Sequence, residues 1–145
     1  MFRFKIQAAR HTDAAAVCRI TGNLLGSELP PDKMDKIFTQ IIDDVGQIIL
    51  VAVTSGHVAG FIHAREVRDL TLGRYVEIVE IAMLEYYQRS GGASSLIYGV
   101  EQWCCQMRTH KTVCILKSEN DAMRSLLISC GYREYGIVAF EKYLV

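Results

Sequence analysis

The spacing of apolar residues along the chain changes period several times, and each change marks an element. Thr12-Asp13 is a good helix start, and Val17, Ile20, Thr21 and Leu24 then fall on one face until Gly26 stops the helix. Pro31-Asp32 opens a second helix with Met34, Ile37, Phe38 and Ile41 at helical spacing. From Gln47 to Val53 the run is continuously apolar, as in a strand buried on both faces. Ser55-Gly56 stands where a tight hairpin turn belongs, before a strand from Val58 to about Arg65. A loop around Asp69 to Arg74 leads into another strand, Tyr75 to Leu84. Three strands joined by short turns predict an antiparallel meander.

Helical spacing returns at Ala93, Leu96, Ile97, Val100, Cys104 and Met107. Thr112 to Leu116 is a short apolar strand. Ser118-x-x-Asp121 resembles a capping box and predicts a helix carrying Ala122, Leu126 and Cys130 on one side, ended by Gly131. Tyr132–Tyr135 and Ile137–Leu144 alternate as strands around Gly136, and Met1 to Ile6 alternates as a strand at the other end. The helix across residues 93–111 needs a crossover that makes its flanking strands parallel. The expected architecture is α/β: one domain, residues 1–145, with a mixed central sheet and helices on both faces.

Composition narrows the function. At 145 residues, half of them apolar and 22% charged, the chain can bury a full core. Its net charge is zero, which disfavours nucleic acid and anionic membrane surfaces as partners. No apolar run reaches membrane-spanning length, and the amino-terminal pattern is no signal peptide, so the expected address is the cytoplasm. Five cysteines, an odd count without framework spacing, fit free thiols. Cys104-Cys105 is not C-x-x-C, and the four histidines are scattered, so no metal site is expected.

The segment with chemical content is Val79 to Ala93. A strand, a turn rich in small residues and a helix start follow one another there, an order that aims free backbone N–H groups at one point and suits a phosphate. The turn ends in Gln88-x-x-Gly91-x-Ala93. Neither G-x-x-x-x-G-K-[ST] nor G-x-G-x-x-G occurs, which removes support for nucleotide hydrolysis and dinucleotide binding by those loops.

Gln88-x-x-Gly91-x-Ala93 resembles the pyrophosphate loop of the GNAT N-acetyltransferase superfamily. Three further segments resemble that family in family order: Ala8 to Asp13 its opening strand-to-helix step, Gly60 to Arg65 its third strand, and Ser118-Glu119-Asn120 with Gly131-Tyr132 its carboxy-terminal signature. The resemblance implies a GNAT fold and acetyl-CoA as co-substrate. It assigns backbone groups of Ile81 and Met83 to the pantetheine arm, N–H groups of Gln88, Arg89, Ser90, Gly91, Gly92 and Ala93 to the pyrophosphate, and Asn120 to a position near the pantetheine. Asn120 also reads as an ordinary first-turn helix residue.

On the same resemblance Glu80 is the candidate base, burial raising its pKa, and the Met83 N–H the candidate oxyanion donor. As a strand residue Glu80 equally reads as surface-facing, with Glu77, Val79 and Ile81 pointing one way and Ile78, Glu80 and Ala82 the other. His63 and Arg65 are candidates for the acceptor pocket or plain strand residues. Glu28, with Asp32 and Asp35 beyond it, lies in the loop region expected to meet a cationic acceptor. The chain departs from the family pattern at Glu85, often proline, at Arg89, usually glycine, and at Ser90, usually basic. It has Leu127 where many members carry a tyrosine acid. A thiolate whose pKa is about 8.5 leaves without a strong acid, so Leu127 predicts a slower enzyme, solvent protonation or a substitute acid. The expected activity is transfer of acetyl to a primary amine, small-molecule or peptide, by direct attack. The alternative is a non-catalytic, regulatory CoA-binding module, and a homodimer stays open.

Overall fold

The computed structural model describes residues 2–144. They form two compact units, one up to Ile115 and one from Leu116 onward.

The first unit is built on a five-stranded sheet in the order β1-β2-β3-β4-β5, with β1 Lys5–Ala8, β2 Gln47–Thr54, β3 His57–Asp69, β4 Gly73–Met83 and β5 Thr112–Cys114. The first four strands pair antiparallel and β4 pairs with β5 in parallel, so the sheet is mixed, as the pattern predicts. The amino-terminal strand begins at Lys5 rather than at the chain end, and Met1 lies outside the described residues. Helices α1 (Ala14–Leu24) and α2 (Pro31–Ile42) cover one face, preceded by a 3-10 turn at His11–Asp13 whose Asp13 carboxylate accepts the Arg10 N–H at 2.8 Å. Their core joins Val17, Ile20 and Phe38 to Ile49, Val51, Phe61 and Ala82. Pro31 stands in the first turn of α2, where its missing N–H costs nothing.

Helix α3 (Gly92–Gln106) lies against β2, β3 and β4. Its Gly99 approaches Leu50 and Ile6 so closely that a Cβ would meet Leu50 Cδ1 at 2.8 Å. Leu50 alternates with Ile49 and Val51, so α3 covers the face opposite α1 and α2.

The strand β4 does not keep its alternation. His63 pairs with Glu80 and Ala64 with Ile78, which leaves Val79 as an extra residue, a β-bulge. Cross-strand partners share a face. Arg65–Glu77, His63–Glu80 and Phe61–Ala82 are therefore on the α1/α2 face, and Ala64–Ile78 and Ile62–Ile81 on the α3 face. Strict alternation would separate Glu77 from Glu80; the inserted residue puts both on one side.

In the second unit α4 spans Asp121–Ser129. Its cap is Asn120, not the predicted Ser118: Asn120 Oδ1 accepts the Met123 N–H at 3.2 Å, whereas Ser118 Oγ donates to Glu119. The strands expected at Tyr132–Tyr135 and Ile137–Leu144 do not form among the described residues. An alternating pattern becomes a strand only through a ladder, and this segment has none, which leaves Phe140 93% and Tyr143 88% exposed. No helix among the described residues is long and apolar enough to cross a membrane. Replacing both Phe140 and Tyr143 by Ser is expected to change the unfolding free energy by less than about 0.5 kcal/mol. Urea denaturation checks this, and a loss of several times that amount would mean the segment is packed in solution.

Candidate functional site

Two features meet at β4. The first is a strand edge left unpaired by any other strand among the described residues. β4 pairs with β5 only from Val76 to Ile78, and beyond that β4 continues to Met83. The Val76 N–H donates to Lys111 on the β5 side, while the Leu84 N–H donates to Ala59 on the β3 side. Counting back by twos from Leu84 directs Ala82 to β3, so the N–H and C=O groups of Ile81 and Met83 face away from β3, along the open edge. The bulge makes this possible: even-numbered residues face β5 before it and odd-numbered ones after it. Gln88 Nε2 donates to the Met83 carbonyl at 3.0 Å, which ties the following turn to the edge.

That turn is built from special backbone. A 3-10 turn covers Glu85–Tyr87, and the Gln88 N–H is used inside it, donated to Glu85 at 3.2 Å. Arg89 then has φ 61° and Gly91 φ 87°, both left-handed. Glycine takes this conformation freely, whereas arginine does so at a cost of about 1–2 kcal/mol. The first N–H groups of α3 have no acceptor within the helix and open at the same place. Ser90 Oγ donates to the Tyr87 carbonyl, and Ser94 and Ser95 donate to the Gly91 carbonyl. Phe2, Phe4, Tyr86 and Tyr87 form an edge-to-face aromatic cluster next to the turn.

Met83 couples edge and turn. A Cβ on Gly60 would lie 2.5 Å from the Ala82 carbonyl oxygen and closer still to Met83 Sδ, and a Cβ on Gly92 would collide with the Met83 methyl. Both glycines make room for this one side chain.

The second feature is a cavity of about 420 Å³ on the α1/α2 face, walled by α1, α2 and the middle strands. Val17, Thr21, Leu25 and Leu29 come from α1 and the loop after it, and Met34, Ile37 and Ile41 from α2. The sheet contributes Phe61, His63, Val79 and Glu80, so the bulge places two consecutive residues of β4 in one wall. Glu80 as a whole is exposed, yet the concave wall strips part of its hydration and raises its carboxyl pKa.

His63 is buried, and its Nε2 lies 2.7 Å from Gln47 Oε1. Gln47 Nε2 in turn donates to Asp44 at 3.0 Å, which fixes the amide with its oxygen toward His63. The proton therefore sits on His63 Nε2. Burial, and then the nearby Arg65 cation, lower the imidazole pKa from 6.5 to about 4, with Glu77 opposing. Gln47 and Asp44, which orient this histidine, carry no sequence signal of their own.

The structure thus gathers His63 and Glu80 in one cavity, and Ile81, Met83 and the 88–93 turn along one edge. Arg65 lies outside the cavity lining and pairs with Glu77 at 3.1 Å. Glu28 is exposed beside two lining residues, Ser27 and Leu29, without lining the cavity itself, and Asp32 and Asp35 are likewise exposed outside it. Asn120 caps α4 and Leu127 is buried, both in the second unit. Among the described residues no cluster of three His, Cys, Asp or Glu side chains could hold a metal.

The model of the acetyltransferase (GNAT) family matches residues 15–132. The chain belongs to the GNAT family. No curated protein matches it in sequence. Among solved structures, it is similar to the aminoglycoside N-acetyltransferase AAC(6')-Iy in complex with CoA, at 19% identity and TM-score 0.89, over 99% of this chain and 96% of that one. It is also similar to the aminoglycoside 6'-N-acetyltransferase AAC(6')-Ih from Acinetobacter baumannii, at 19% identity and TM-score 0.85, over 99% and 100%. A structure titled transcriptional regulator, from Bacillus halodurans C-125, matches at 15% identity and TM-score 0.85, over 97% and 100%. At these identities the likeness is one of fold, and it spans proteins described by different functions.

His63 gives the GNAT core a pH dependence. An unfolded imidazole titrates near 6.5 and the folded one near 4, so the neutral form is favoured by folding. Its contribution is complete above about pH 6.5 and is lost as pH falls toward 4, with a limiting slope of about 1.4 kcal/mol per unit and a total of about 3 kcal/mol. Urea denaturation at intervals between pH 7 and 4.5 should show this slope in the wild type and a shallower one in His63→Gln. Identical slopes would show that His63 is not held neutral.

Proposed function

We propose that this GNAT-family chain transfers acetyl from acetyl-CoA to a primary amine by direct attack. The observation that carries the reading is the bulged β4, which offers an open backbone edge at Ile81 and Met83 and a carboxylate, Glu80, at the wall of a cavity. On this reading the edge takes the pantetheine amides, and the left-handed turn with the first N–H groups of α3 takes the pyrophosphate. The Met83 carbonyl has a second lone pair beside the one used by Gln88, and the Met83 N–H is available to the oxyanion of the thioester carbonyl. The acceptor amine enters from the cavity.

Glu80 and His63 are both candidates for the base, and their environments favour Glu80. A base works best with a pKa near the working pH. Partial desolvation moves Glu80 up toward that range, whereas burial moves His63 down to about 4, away from it. Glu80 is therefore assigned the ammonium proton, through a water, and His63 a wall position. Burial and Asp35 raise the pKa of Cys18, which stands in the cavity wall, and a protonated thiol is a poor nucleophile. That supports direct attack over a covalent enzyme intermediate. The five free cysteines suit a cytoplasmic protein.

Leu127 in place of a tyrosine acid motivates the second reading, a CoA-binding module without turnover. Calorimetric titration with CoA and thiol release across an amine panel separate the two. Gly91→Asp should reduce CoA affinity at least a hundredfold, since it adds a negative charge at the phosphate position and strains a residue at φ 87°. Unchanged affinity would remove the 88–93 turn from the site. Glu80→Gln should lower the acetylation rate by about a hundredfold and flatten its rise with pH, because the carboxylate is the active form and its pKa lies above 4.5. A pH profile identical to that of the wild type would exclude Glu80 as base.

A further inference from the structure

The cavity wall restricts the acceptor more sharply than the reaction does. Helix α2 and the loop after α1 line it mainly with hydrocarbon, Leu25, Leu29, Ile37 and Ile41, backed by Phe38 and Phe61, and Thr21 and Ser27 add two uncharged hydroxyls. Its acidic residue is Glu80, at the end beside β4. Its imidazole, His63, is neutral at physiological pH. The carboxylates Glu28, Asp32 and Asp35 are exposed and outside the lining, and of these Asp35 reaches the wall electrostatically, at Cys18. A second ammonium entering this space would meet alkyl groups and two neutral hydroxyls and lose its water without a second lining carboxylate in return. One amine at Glu80 with an apolar body behind it matches the single carboxylate and the alkyl majority of the wall.

Resting on the acetyltransferase reading above, we propose that the acceptor is an amphipathic monoamine, a primary amine carried on an alkyl or arylalkyl body. Polycationic acceptors such as aminoglycosides, which several structures of the same fold are described as acetylating, do not match this wall. A volume near 420 Å³ is at the small end of the range for ligand pockets, which suits a compact apolar body rather than a multi-ring sugar.

The test is a series of amines with matched basicity, followed by thiol release from acetyl-CoA. From propylamine to hexylamine, kcat/KM should rise about fourfold per added methylene until the cavity is filled. The deciding pair is hexylamine against 1,6-diaminohexane, equal in length and different by one charge. Hexylamine should be preferred at least tenfold, and spermidine and kanamycin should be poorer still. Ile37→Glu, at a half-exposed wall position, should reverse the preference within the pair while leaving the fold intact by circular dichroism. A flat alkyl series, or a diamine or kanamycin used better than hexylamine, overturns the proposal while leaving the acetyltransferase reading standing. If no amine releases thiol above background, that reading fails by itself. The same pair is then titrated calorimetrically into the CoA-loaded protein, where equal or inverted affinities overturn the monoamine assignment and a preference for hexylamine sustains it.

Discussion

One extra residue in β4 organises this molecule. An ordinary antiparallel strand assigns side chains and backbone groups by parity, and parity here would set Glu77 and Glu80 on opposite faces. The insertion of Val79 resets both counts at once. Downstream of it, Glu80 turns to the cavity side and the amides of Ile81 and Met83 turn to the open edge. The parallel pairing with β5 also ends at Ile78, where the bulge begins. On the proposed reading, acid–base chemistry and ligand pairing both depend on this single local irregularity.

Around that point two ionisable groups on paired strands are driven in opposite directions. Desolvation opposes charge, so it raises a carboxyl and lowers an imidazole. His63 and Glu80 are register partners, yet one is held as a neutral hydrogen-bond donor and the other has its carboxyl pKa pushed up from the ordinary range. The chain Asp44–Gln47–His63 holds the imidazole tautomer and keeps the donor side turned toward β2.

Features written locally were legible in the sequence. Pro31 opens α2, Ser55-Gly56 turns the hairpin, and Gly91 takes a left-handed conformation at the start of α3, each by its own backbone chemistry. The bulge was not legible, because it exists only in the register between β3 and β4. The same holds for Gln47, which is remote in sequence from the histidine it orients. Ser118 and Asn120 are both good caps, and only the helix geometry selects Asn120. The alternation from Ile137 to Leu144 has the pattern of a strand, and pattern alone supplies no ladder. Arg65, a candidate for the acceptor pocket, shares the face of His63 but is committed to Glu77, a choice made by cross-strand pairing.

Met83 occupies the space that side chains on Gly60 and Gly92 would need, so one thioether is wedged between the end of β4 and the start of α3. The edge and the 88–93 turn are thus held apart by one side chain. On the proposed reading that side chain acts as a ruler. It sets how far the reactive end of the co-substrate can lie from its diphosphate, and so selects for the length of the arm between them before any contact with the acyl group is made.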